Sequence, residues 1–168
     1  LGRGSRPEEE EHMAVIRTAL PEDAQKTAGE ALQGAVVDLI DLSLVAKQVH
    51  WTLVGRNFRS VHLQLDDVVA TAREYQDTAA ERAAAIGVLP DGRSEALRGS
   101  ALPQPPVAWI HADDAIRYFV EVFEAVVTRM RDRIEATEDD EVTQDLIIEI
   151  TGELEKHWWM WQAEAATD

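Results

Sequence analysis

An all-α chain is expected here: a four-helix bundle with a long crossover between its second and third helices. Three observations predict it. Apolar residues recur at helical spacing in four stretches, each bounded by proline, glycine or an acidic turn. The link over 88–110 is far longer than antiparallel neighbours need, so it should run along the bundle. The 168 residues suffice for one domain with a sizeable core, divided into a tail over 1–20 and a helical domain over 21–168.

Pro21 suits a first helical turn, and Leu32, Val36, Leu39, Val45 or Ala46, Val49 and Leu53 carry the first helix to Gly55. Gly29 and Gly34 each cost about 1 kcal/mol relative to Ala inside a helix. They mark either close packing or a broken start. The second helix runs from Phe58 to Ile86 and is stopped by Gly87 and Pro90. Its stripe is Leu65, Val69, Ala72, Ala79, Ala83 and Ile86, with Gln76 as a polar break. Within the crossover, Ser94–Arg98 can form a short helix. Asp113 or Asp114 caps a third helix that ends near Ala136. Arg129 and Arg133 share a face of it; ion pairs with nearby Asp132 and Glu135, at the surface or between subunits, are expected there, with a phosphate contact as the alternative. Asp140 caps a fourth helix reaching about Ala165, with Val142, Leu146, Ile147 or Ile150, Leu154 and Trp158 or Trp161 inside. Trp158, Trp159 and Trp161 read as packing residues.

The second helix also carries chemistry. With His62 at zero on a helical wheel, Asp66 falls near ~40°, Asp77 near ~60° and Glu81 near ~100°. The apolar stripe centres roughly 120° away. These four side chains therefore share a face that does not point into the chain's own core. Asp66 and Asp77 are about 16 Å apart along the axis, at ~1.5 Å per residue. One copy cannot bring both to one ion. An antiparallel second copy, with a two-fold axis near Thr71 and Ala72, sets Asp66 beside Asp77 of its mate and makes two equivalent sites. Ala70, Ala80 and Ala84 on the same face permit close approach. His50 joins from the preceding helix across the turn at Gly55–Asn57.

Two imidazoles and three carboxylates, with no thiol, suit a pair of iron or manganese ions, and zinc less exclusively. Calcium favours all-oxygen shells. Each pair alone reads as ordinary solvated surface. His50, His62, Asp66, Asp77 and Glu81 together, away from the core stripe, read as a metal site.

The segments K-Q-V-H-W-T-L-V-G-R-N-F, H-L-Q-L-D, D-T-A-A-E-R and G-E-L-E-K-H-W-W resemble the Dps family, the DNA-protection-during-starvation mini-ferritins, over about 34–161. The resemblance implies a ferritin-like four-helix bundle, a hollow dodecameric cage, and di-iron ferroxidase sites at two-fold interfaces. It implies His50, His62 and Asp66 from one subunit with Asp77 and Glu81 from its mate. It implies Fe²⁺ and hydrogen peroxide as substrates and a ferric mineral stored inside. The E-x-x-H motif of larger ferritins occurs only at Glu9–His12, in the tail.

A pore for Fe²⁺ is expected where Asp140, Asp145 and Glu149 would meet at a three-fold axis; a solvated face is the plainer alternative. Trp51, next to His50, is a candidate radical trap, with packing as its alternative. His111 stands at a helix start without a paired carboxylate and is read as non-ligating.

The net charge of −16 attracts cations and repels polyanions. A nucleoid-associated cage that condenses DNA is the alternative function. It lacks the basic extension it would need: Arg3 and Arg6 are followed by Glu8–Glu11, and the chain ends E-A-A-T-D. Direct DNA binding is therefore doubtful. No run of 18 apolar residues exists, there is no cysteine, and a cytoplasmic location is expected. Gly4-Ser5 and His12-Met13 resemble cloning scars, and the tail is expected to dock on a neighbouring subunit.

Overall fold

The structure is a computed structural model describing residues 15–166. The tail docking and the cloning-scar reading lie largely outside those residues. Four long helices form: α1 Glu22–Thr52, α2 Phe58–Ala85, α3 Ala112–Ala136 and α4 Glu141–Ala165. A 3₁₀ turn at Ala96–Gly99 interrupts the crossover, starting two residues and ending one residue later than the Ser94–Arg98 helix expected there. Four helices are what the periodicity predicts, and their ferritin-like bundle is what the resemblance implies.

α1 ends at Thr52, and Leu53–Val54 forms a short strand, β1, parallel to β2 at Ile110–His111. Helical spacing had assigned Leu53 to the first helix. Two residues are too few to show an alternation, so neither strand was legible. The pair fixes the topology. β1 follows α1 and β2 precedes α3, so α3 starts at the end of the bundle where α1 finishes. α2 finishes at the opposite end, and the chain must travel back along the bundle.

The turn between α1 and α2 uses Gly55 at φ 93° and Asn57 at φ 61°, both in the left-handed region. Gly87, at φ 80°, ends α2 and lets the Val88 N–H reach the Ala83 carbonyl at 2.9 Å. The crossover is pinned to α1. Asp41, 7% exposed, accepts from Ser100 Oγ at 2.5 Å and Gln104 Nε2 at 2.9 Å. Tyr118 donates to the Pro103 carbonyl at 2.6 Å, and burial raises its pKa.

Leu32, Leu39, Leu42, Leu65, Phe119, Phe123, Met130, Ile147, Ile150, Leu154 and Trp161 form the buried core. Trp161 stacks on Phe119 with ring centroids 5.0 Å apart, Trp158 is half-buried and Trp159 is exposed. Val142, placed in the α4 stripe by spacing, is 63% exposed, because Asp140 and Thr143 take the inward positions at the start of α4. Both α1 glycines serve close packing within an unbroken helix. A Cβ on Gly29 would lie 2.8 Å from Val88 Cγ2, and one on Gly34 2.8 Å from the Arg133 guanidinium.

Arg129 and Arg133 do form ion pairs, but not with Asp132 or Glu135. Both reach α1 and hold the fully buried Asp38, at 2.8 Å from Arg129 Nε and 2.6 Å from an Arg133 Nη. A carboxylate without solvent needs such partners, whereas Asp132 and Glu135 keep theirs in water.

Candidate metal centre

α2 presents three distinct faces. Its apolar stripe packs into the core. A second, polar face meets α4 through three rungs: Thr71 with His157 Nε2 at 3.0 Å, Tyr75 OH donating to Glu149 at 3.2 Å, and Arg82 on Asp140 and Thr143. These rungs lie near ~180–220° on the wheel that sets His62 at zero. They fix the rotation of α2 about its axis. The third face, with His62, Asp66, Asp77 and Glu81, is left pointing away from the bundle.

His50, in the last turn of α1, meets His62 across the Gly55–Asn57 turn. The rings stack with centroids 3.6 Å apart and 21° between planes. His50 Nδ1 lies 3.0 Å from the His62 carbonyl, and His62 Nδ1 lies 3.1 Å from the His50 carbonyl. A carbonyl only accepts, so each Nδ1 carries the proton and donates. Each Nε2 keeps a lone pair for a metal. Phe58 packs against His62 at 5.0 Å.

His50, His62 and Asp66 each offer a donor atom within 4.8 Å of the others. Among the described residues this is the one group of at least three His or acidic side chains so placed. Asp77 and Glu81 are not in it. They are exposed, on the far half of the unbroken α2. One chain thus brings three of the five expected ligands together and leaves the other two apart, as their axial separation requires.

Lys47 was missed from the sequence. Its ammonium bonds to Asp66, whose other near cation-capable group is His50 Nδ1 at 3.4 Å. The Lys47 hydrogen bond holds the Asp66 pKa below the usual value; burial opposes, and the neighbouring charges of His50, Lys47 and His62 assist. The signal was present: Lys47 lies three residues before His50, on the same face of α1.

The expected pore residues separate. Asp140 is 4% exposed and accepts from Arg82 at 2.9 and 3.1 Å and from Thr143 Oγ1 at 2.5 Å. Burial raises its pKa, but the hydrogen bonds of Thr143 and Arg82 outweigh this and leave it lowered. Asp140 is therefore a buried counter-ion at the start of α4, not a pore carboxylate; position in the acidic turn gave no sign of Arg82. Asp145 and Glu149 remain exposed. Glu149 and burial push the Tyr75 pKa to about 12, burial being the larger cause. Trp51 is 67% exposed, and His111 is exposed and outside the metal group.

The family model of the ferritin-like domain matches residues 29–167. A DNA protection during starvation protein of Mycolicibacterium smegmatis is 36% identical over 136 residues, 80% of this chain and 74% of that protein. The chain belongs to the Dps family of ferritin-like proteins. A second Dps relative, DNA protection during starvation protein 2 of Deinococcus radiodurans, is 31% identical over 152 residues; the chain spans 63% of its length. Among solved structures, Dps of Mycobacterium smegmatis in a tetragonal form has a TM-score of 0.86 at 32% identity, covering 92% of this chain and 95% of that one. Dps of Microbacterium arborescens in a high iron form has a TM-score of 0.85 at 33% identity, covering 90% of this chain and 100% of that one. No helix among the described residues of this Dps chain is long and apolar enough to cross a membrane.

Proposed function

We propose that this chain is an iron-storing ferroxidase. Two Fe²⁺ ions bind as substrate between His50, His62 and Asp66 of one subunit and Asp77 and Glu81 of its mate. The observation that carries this reading is the half-built shell: two locked imidazoles beside Asp66, with the remaining donors stranded on the same face of α2. The carboxylates balance charge and bridge the ions, and the imidazoles complete the shell without filling it. Hydrogen peroxide takes one electron from each ion and, with two protons, leaves as two waters. A two-electron step of this kind releases no hydroxyl radical.

The oxidised iron moves into a hollow cage, a dodecamer in this reading, and is stored there as ferric mineral. Asp145 and Glu149 supply negative charge to a three-fold pore, without Asp140. Trp51, exposed and adjacent to His50, intercepts stray radicals. DNA is protected in the cytoplasm by removal of iron and peroxide, which requires no contact with it. A net charge of −16 supports this indirect route over DNA binding.

His50→Ala with Asp77→Ala is expected to abolish rapid Fe²⁺ oxidation, read by stopped-flow absorbance, while the cage stays intact by size-exclusion chromatography. Co-assembling the two single variants gives a sharper result. A dimer with one copy of each holds one intact site and one doubly broken site. Random pairing then restores about a quarter of the sites. No recovery in the mixture would falsify the shared site.

A further inference from the structure

The ligand face of α2 carries Arg73, seven residues after Asp66 and four before Asp77. It falls near ~20° on the wheel that sets His62 at zero. Arg73 is exposed, and none of the ion pairs among the described residues includes it. The antiparallel register that sets Asp66 opposite the partner's Asp77 also sets Arg73 opposite the partner's Ala70. The small side chain leaves room there. Arg73 then stands about 6 Å along the axis from its own Asp77 and from the partner's Asp66.

We infer that Arg73 is the counter-ion that lets two copies close the shared site before any metal arrives; this rests on the site proposed above. Each chain carries a net charge of −16, and closure brings acidic groups of both copies together. Buried charge without a partner is strongly unfavourable. Within one chain Lys47 already neutralises Asp66. Among the described residues Asp77 makes no ion pair, and Arg73 stands one turn before it. A planar guanidinium with five donors can serve carboxylates of both copies at once. When two Fe²⁺ ions occupy the site they supply the positive charge instead. Assembly without Arg73 should therefore depend on metal.

The test is the size of the full chain by native mass spectrometry, in chelator and with Zn²⁺ as a redox-inert probe. The wild type is expected to assemble in both. Arg73→Ala is expected to lose assembled particles by roughly tenfold or more in chelator, and to regain them with Zn²⁺. Arg73→Lys should hold an intermediate fraction. Arg73→Ala with Asp77→Asn should assemble in chelator again, because the charge needing neutralisation is gone. Loss of a merely structural contact, or of the fold, would not be repaired by that second change. Full assembly of Arg73→Ala in chelator, a double variant that stays apart, or a wild type that needs metal would each overturn the inference. Zn²⁺ stoichiometry on the wild type separates the two readings. No His50-dependent Zn²⁺ binding sinks the site itself, whereas normal binding with an unaffected Arg73→Ala sinks only the role of Arg73.

Discussion

His50 and His62 hold each other through reciprocal contacts, Nδ1 to backbone carbonyl, at 3.0 and 3.1 Å, with their rings stacked at 3.6 Å. Both acceptors are main-chain atoms, so α1 and α2 set the tautomer of both rings by their packing. Both histidines are expected as Nδ1–H tautomers in metal-free protein at mildly alkaline pH. Long-range ¹⁵N–¹H NMR reads this directly, and an Nε2–H signature on either ring would contradict the geometry.

Lys47 is paired with Asp66, the carboxylate that the proposed site assigns to metal. The Lys47 side chain is 24% exposed and that of Asp66 is 43% exposed, so the pair is worth only about 0.5–1 kcal/mol. Lys47→Gln is therefore expected to tighten Zn²⁺ binding about two- to fivefold. Calorimetric titration measures it, and weaker binding would mean that Lys47 orients Asp66 instead of blocking it.

The Arg82–Asp140 pair links the Glu81 end of α2 to the start of α4. Asp140→Asn is expected to destabilise the fold by about 3 kcal/mol at neutral pH, because Arg82 loses its charged partner. The folded pKa of Asp140 is lowered, so the unfolded chain binds the proton more readily. Its stabilisation is complete above the ordinary Asp value of about 3.9 and is lost as pH falls through the lower folded value. Chemical denaturation across that window should show wild type and variant converging only on the acid side. A gap that stayed constant with falling pH would mean that the charge of Asp140 is irrelevant.

Gly34→Ala sets two effects against each other. The helix gains about 1 kcal/mol from the better helix former. The new Cβ would meet Arg133 Nη2 at 2.8 Å and Nε at 2.9 Å, pushing the guanidinium off buried Asp38. A charge-assisted hydrogen bond is worth about 1.5–3 kcal/mol, so a net loss of about 1 kcal/mol is expected. Thermal melting checks it: a raised midpoint would show that Arg129 alone satisfies Asp38.

The four helices were legible because their evidence is local. A 3.6-residue period, a proline at a first turn and a glycine at a last one depend only on neighbours in the chain. The stranding of Asp77 and Glu81 from Asp66 was legible for the same reason, since the rise of an unbroken helix sets it. Lys47 and Arg82 were overlooked although both lie in motifs already quoted. Their partners, Asp66 and Asp140, are 19 and 58 residues away in sequence.

From the sequence by itself came the helical class, the long crossover, the shared face of His62, Asp66, Asp77 and Glu81, and the axial gap between Asp66 and Asp77 within one copy. Tertiary structure alone decided how α2 is rotated against α4, which nitrogen of each imidazole is free, and that Asp140 and Asp38 are buried beneath arginines. It also decided the β1–β2 pairing that sets the end at which α3 begins. The reason is physical: helical pitch is a property of one backbone, whereas a proton's position or a buried charge depends on whichever group another helix brings within reach.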